Sequence, residues 1–123
     1  MSDINKIDDQ ASQIILELVI ESWRFSRLFE KLLSKLDAGE SHKYINQFKY
    51  YLNQLEGNLE KIGCKLANLE GQPFNVGMAV TPLNLEDFEP NDPLIIEQMI
   101  EPIIMGPEGV LRTGTVILRK AHI

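Results

Sequence analysis

From residue 10 to residue 36 the chain carries no Pro or Gly, and its apolar residues return at helical intervals. Ile15, Leu18, Phe25, Phe29, Leu32 and Leu36 form one seam, interrupted at Ser22. Ile14, Val19, Trp23, Leu28 and Leu33 form a second seam beside it. Residues three and four apart share a helix face, so the spacing predicts a helix with a wide apolar stripe. Residues 37–41 (DAGES) read as a turn, with Gly39 as the stop of the first helix and Ser41 as the cap of the next. The second helix is expected over 41–62, on the seam Ile45, Phe48, Leu52, Leu55, Leu59 and Ile62, and Gly63 is its natural end.

Beyond Gly63 the period changes. Gly71, Pro73, Gly77, Pro82, Pro90, Pro93, Pro102, Gly106, Pro107, Gly109 and Gly114 break any long helix. Four strand-like runs lie between them, at 64–69, 78–85, 94–105 and 110–119. The last alternates most clearly, with Val110, Arg112, Gly114, Val116 and Leu118 on one face. Residues 106–109 (GPEG) join the last two runs as a hairpin loop. Pro102 has no N–H to give to a ladder, so it marks an edge or a bulge. Residues 86–92 (EDFEPND) read as an exposed acidic loop.

The expected fold is therefore α+β: a two-helix hairpin followed by a small antiparallel β lobe. The first helix is broader in its apolar face than one narrow partner seam can cover. Two hairpins from two chains cover it as a four-helix bundle, which predicts a homodimer. Leu18, Trp23, Phe25, Phe29, Leu32, Leu36, Phe48, Leu52 and Leu55 are the expected dimer interface. The corresponding division is a flexible N-terminus over 1–9, a dimerising hairpin over 10–62 and a β-rich, partner-binding lobe over 63–123.

Composition narrows the function classes. The 123 residues carry a formal net charge of −6, which disfavours a large nucleic-acid footprint. Arg24, Arg27, Lys31 and Lys35 line one side of the first helix, either as a docking stripe or as a polar face paired with Glu21 and Glu30. The single cysteine, Cys64, allows no intrachain disulfide and fits a reducing compartment. The polar, acidic start has no secretory pattern and no run is long enough to cross a bilayer, so the cytoplasm is the expected location, with no membrane partner. Cys64, His42 and His122 are scattered, so no metal and no cofactor are expected. Serines stand away from any nucleophile elbow, and no phosphate-binding Gly-Lys motif occurs. No catalytic residue is nominated, and the chain is read as a protein that acts by binding. Met78, Met99 and Met105 offer either core filling or a pliable contact surface.

Three stretches, in order, carry a family resemblance. The first is residues 55–66 (LEGNLEKIGCKL), the second residues 71–75 (GQPFN), the third residues 110–118 (VLRTGTVIL). Together they resemble the helix-to-sheet junction, the start of the sheet and the closing strand of GrpE proteins, nucleotide exchange factors of DnaK-type chaperones. Gly63, Phe74, Leu111, Arg112 and Val116 stand on matching positions. Two segments depart from the family's pattern: Val76-Gly77-Met78-Ala79 after the Phe-Asn pair, and Pro102-Ile103-Ile104-Met105 before the last hairpin. The family's long N-terminal helix has no expected counterpart, because only residues 1–9 precede the first predicted helix. The resemblance implies a co-chaperone whose β lobe meets a DnaK-type chaperone, with Met78, Met99, Met105 and Arg112 as candidate contacts. The alternative is a dimeric interaction or scaffold module of the same fold without exchange activity.

Overall fold

A computed structural model describes the backbone of residues 2–122 and the side chains of residues 9–122. Helix α1 spans Ser2–Ser34 and helix α2 spans Ala38–Lys61. They are followed by β1 (Lys65–Ala67), β2 (Val80–Pro82), a 3-10 turn at Leu85–Asp87, β3 (Leu94–Glu101), β4 (Ile103–Gly106), β5 (Gly109–Arg112) and β6 (Gly114–Lys120). The chain divides into two compact units, Met1–Leu55 and Glu56–Ile123. The α+β class is as expected; the details depart from it at three places.

The first departure is the start of α1. The helix begins at Ser2 rather than near residue 10, so residues 2–9 are helical and not a separate N-terminal segment. Nothing in the sequence stops it, since residues 2–34 contain neither Pro nor Gly.

The second is the turn between the helices. Helix α2 starts at Ala38, and Asp37 rather than Ser41 is its cap: the Glu40 N–H donates to Asp37 Oδ1 at 2.8 Å. The Ser41 N–H donates to the Asp37 carbonyl at 2.9 Å, already the first helical bond. Gly39 is thus inside the first turn and is not a stop. The other end of α2 is as expected. Gly63 takes φ +74°, and the Cys64 N–H reaches back to the Leu59 carbonyl at 2.9 Å. This left-handed residue satisfies the carbonyls that the last turn leaves free. A Cβ on Gly63 would also stand 2.8 Å from Pro107 Cγ, so conformation and space both ask for glycine.

The third departure is in the β unit, which holds two three-stranded sheets, β1-β4-β5 and β2-β6-β3, instead of one antiparallel sheet. Four of the pairings involved are β1–β4, β4–β5 and β3–β6, all antiparallel, and β2–β6, which is parallel. The two long runs expected at 94–105 and 110–119 each divide. Pro102 separates β3 from β4, and Thr113 separates β5 from β6. Glu101 pairs with Thr115 on one side of this break and Ile104 with Arg112 on the other. Both runs therefore pass from one sheet to the other at the same level. Pro102, buried and without an N–H, suits the point where the ladder is interrupted. Opposite it, a Cβ on Gly114 would stand 2.7 Å from Met99 Cε and 3.0 Å from the Glu101 carbonyl. The strands approach there too closely for a side chain.

The β unit closes around Ile96, Met99, Pro102, Ile104, Val116 and Leu118, all essentially inaccessible. Gly114, Val116 and Leu118 are the buried face of β6, as the alternation predicts, but β5 does not share that burial. Two loops are fastened to this core. Residues 71–74 run along β3, with the Gly71 N–H donating to Ile96 and the Phe74 N–H to Leu94. Asn84 grips β6 with both ends of its amide, donating to the Leu118 carbonyl and accepting from the Leu118 N–H, each at 2.9 Å.

Candidate functional site: an unpartnered helix face

Helix α1 has two apolar faces with different fates. Leu16, Val19, Ile20 and Leu33 are buried, together with Ser26, whose hydroxyl donates to the Trp23 carbonyl at 2.7 Å. At about 100° per residue these positions share an arc of roughly 140°. Ile14, Leu18, Phe25, Leu28 and Leu32 are exposed, Phe25 at 63% and Leu28 at 64%, and they share an arc of roughly 80°, centred almost opposite the buried one. Ile15, at the edge of the buried arc, and Leu36, beyond the end of α1, are exposed as well. The stripe that the five make is about 27 Å long and about 10 Å wide, on the order of 300 Å², comparable to the largest apolar patch of an ordinary monomer, which is often a functional one.

Within the first unit, α1 and α2 meet through Phe29 and Phe48, whose ring centroids lie 5.5 Å apart. Tyr51 Oη donates to the Ser22 carbonyl at 3.4 Å, a long bond. Phe25 stacks on Phe29 at 6.5 Å, so the exposed stripe continues into the aromatic contact between the helices. A cleft of about 210 Å³, lined by Phe25, Ser26, Phe29, Gln47, Phe48 and Tyr51, opens at this junction. Apolar exposure on α2 is smaller and sits at Tyr44, Ile45 and Tyr50.

The expected interface residues thus separate. Leu18, Phe25 and Leu32 stand on the exposed stripe, and Leu36 is exposed just beyond the end of α1. Phe29, Phe48, Leu52 and Leu55 are half-buried. Trp23 belongs with the buried face instead: its indole is half-buried, its Nε1 is enclosed without a hydrogen-bond partner, and the Arg27 guanidinium lies 5.5 Å from the ring centroid. Ile14 and Leu28 belong on the exposed stripe, and Leu16 and Ile20 on the buried one. The signal that would have sorted them is the angular position of each residue, because counting two seams merges faces that the helix turns apart.

The expected partner contacts of the β unit do not form one surface. Met99 is 1% exposed and cannot be a contact; its sulfur accepts from the Leu69 N–H at 3.2 Å and its own N–H donates to Glu70 Oε2 at 2.8 Å. Met78, Met105 and Arg112 are half-buried, with Met105 and Arg112 on the adjacent strands β4 and β5 and Met78 before β2. Leu111, by contrast, is exposed on β5 beside Val110. The basic residues of α1 are partly engaged on their own helix, Arg24 with Glu21 and Arg27 with Glu30, both at 3.6 Å.

Among the described residues no three His, Cys, Asp or Glu side chains come together in a metal-holding group. Among the described residues no helix is long and apolar enough to cross a membrane. Comparison with protein-family models, with curated proteins and with solved structures finds no match to this chain.

Proposed function

We propose that this chain is a homodimeric protein that acts by binding, its helices joining two copies and its β unit meeting a protein partner. The observation that carries the reading is the exposed stripe of α1. A run of five large apolar side chains on one helix face gains about 25 cal/mol for each Å² removed from water. A second copy presents the same stripe, so the contact is self-complementary about a two-fold axis.

The partner that the resemblance of residues 55–66, 71–75 and 110–118 suggests is a DnaK-type chaperone, with the chain as a GrpE-like exchange factor. Such a protein needs no covalent chemistry. It binds the open, nucleotide-free chaperone more tightly than the closed one, and reciprocity then lowers nucleotide affinity. The order of elements, a helical hairpin followed by a β unit with the Gly63 junction between them, is consistent with this reading. A dimeric scaffold without exchange activity is the second reading, favoured by the different residues at 76–79 and 102–105.

The test has two parts. Sedimentation at micromolar concentration is expected to give twice the chain mass of 14.0 kDa. Release of labelled ADP from DnaK-type chaperones of the same organism is expected to accelerate in proportion to dimer. A monomer removes the whole reading; a dimer that accelerates no chaperone leaves the scaffold.

A further inference from the structure

The β unit carries a second apolar surface, unrelated to the helix stripe. Residues 74–76 on one side and Leu85, residues 88–90, Asp92 and Leu94 on the other line an open groove of about 420 Å³. Phe74 and Phe88 are half-buried in it, Leu85 is exposed, and Val76 is 92% exposed at its lip. A β-branched apolar side chain so fully in water is stabilised by nothing on its own surface, and it gains only when something covers it.

Both walls are fixed. On one side Asn75 Oδ1 accepts from the Gly77 N–H at 2.9 Å, and the Asn75 carbonyl accepts from the Met78 N–H at 3.2 Å, closing a turn that presents Val76. The Phe74 N–H holds that turn to β3 through Leu94. On the other side the Asp87 and Phe88 N–H groups close the 3-10 turn onto Asn84 and Leu85, and Asn84 is clamped to β6. A groove held in this way loses little freedom when it is filled.

Its rim is acidic. Asp92 is 3.6 Å from Lys120 Nζ and is thereby offset. Glu89 lines the groove, while Glu86 and Asp87 are exposed on the 3-10 turn beside it; the three make no ion pair among the described residues and are not gathered closely enough to hold a metal. Their charge is thus left for an extended partner. We propose that this groove docks an extended protein segment in which apolar side chains alternate with Lys or Arg. The apolar side chains cover Val76, Leu85 and Phe88, and the basic ones meet Glu86, Asp87 and Glu89. The proposal rests on the reading that the β unit meets a protein partner, and it names where and with what chemistry.

The probe is a blocked decapeptide alternating Lys with Leu, set against the same peptide with Glu in place of Lys. Each is titrated into the isotope-labelled full-length chain and followed by amide NMR. The Lys peptide is expected to shift residues 74–77 and 85–92, and its affinity to fall about tenfold from low salt to roughly 0.5 M as the charges are screened. Val76→Ser, at a fully solvated position, is expected to weaken it about threefold or more. The double variant Glu86→Lys, Glu89→Lys is expected to prefer the Glu peptide. Equal binding of both peptides, shifts centred on α1, or no shift at millimolar peptide overturns the proposal. Sedimentation and ADP release are measured on the same samples. A dimer that accelerates ADP release yet ignores the Lys peptide overturns the groove alone, whereas a monomer overturns the reading beneath it.

Discussion

The two units spend their apolar residues differently. The β unit buries Ile96, Met99, Ile104, Val116 and Leu118 almost completely within its own two sheets. The helical unit buries Leu16, Val19, Ile20 and Leu33, and leaves Ile14, Leu18, Phe25, Leu28, Leu32 and Leu36 in water. A small domain is limited by how much surface it can remove from solvent. The β unit meets that limit by folding two strand pairs through a shared corner. The helical unit has too few elements to do so, and its remaining apolar face is what the proposed second copy covers. The β unit closes its core and keeps apolar exposure to loops and the β5 hairpin, Val76, Leu85 and Leu111 among them, whereas the helical unit leaves a whole helix face in water.

The largest effect is expected where this contrast is attacked directly. Phe25→Asp with Leu32→Asp places two carboxylates in the proposed interface. Sedimentation should show association weakened by three orders of magnitude or more, roughly 4 kcal/mol, because a buried unpaired charge is costly. The same variant should leave the near-ultraviolet and amide signature of the β unit unchanged. A double variant that still sediments as a dimer removes the stripe as the interface.

The reverse experiment is Ile104→Ala, a wholly buried side chain on β4. Its loss should destabilise the β unit by about 3 kcal/mol, from lost transfer energy and the cavity left behind. Denaturant melting followed at β-unit amides should shift accordingly, while the dimer constant stays put. A shift below about 1 kcal/mol would mean that the β core is looser than its burial indicates.

Gly114→Ala probes the corner at which the strands change sheet. The added Cβ would meet Met99 Cε, the Glu101 carbonyl and Ile103 Cγ1 within 3.1 Å. Only the methionine end can yield easily, since the carbonyl is part of the ladder. The expected cost is about 1–3 kcal/mol from forced repacking. Melting that is unchanged would show that β3 and β6 can part without consequence.

The chain pattern made the element types legible and left their junctions partly hidden. The helices, the exit at Gly63 and the shared face of Gly114, Val116 and Leu118 follow from period and punctuation alone; which face of β6 is buried does not. The interruption at Pro102 is legible in part, since a residue without an N–H marks an edge or a bulge. The break at Thr113 is not, because alternation continues across it and the close approach at Gly114 depends on the partner strand. The parallel β2–β6 pair was hidden for the same reason, since sequence spacing records no direction. On α1 the apolar set was visible but its two faces were merged. Trp23 shares its seam with Val19 and Leu33, both buried, yet the expected interface sets it beside the exposed Phe25 and Leu32. Met99 was a candidate contact because nothing in its strand marks which side of β3 faces inward until β6 is paired to it.

The smallest effect concerns the turn that sets the hairpin. The sequence of residues 37–40 is Asp-Ala-Gly-Glu, an acidic cap followed three residues later by Glu. In the structure the Asp37 carboxylate accepts from the Glu40 N–H at 2.8 Å, and its charge lies at the amino end of α2, where the helix dipole favours an anion. Asp37→Ala removes the acceptor and leaves the N–H to solvent, at a cost of about 1 kcal/mol. Asp37→Asn keeps an acceptor and removes the charge, so its cost should be a few tenths of a kcal/mol. Because Asp37 is exposed, the loss is local to the start of α2 and should appear as faster amide exchange over residues 38–42, with the β unit unaffected. The Ser41 hydroxyl donates only weakly to the Ala38 carbonyl, at 3.3 Å, so Ser41→Ala should change exchange there far less. If the serine variant frays the helix and the aspartate variant does not, the helix starts at residue 41 after all and the hairpin is one turn shorter.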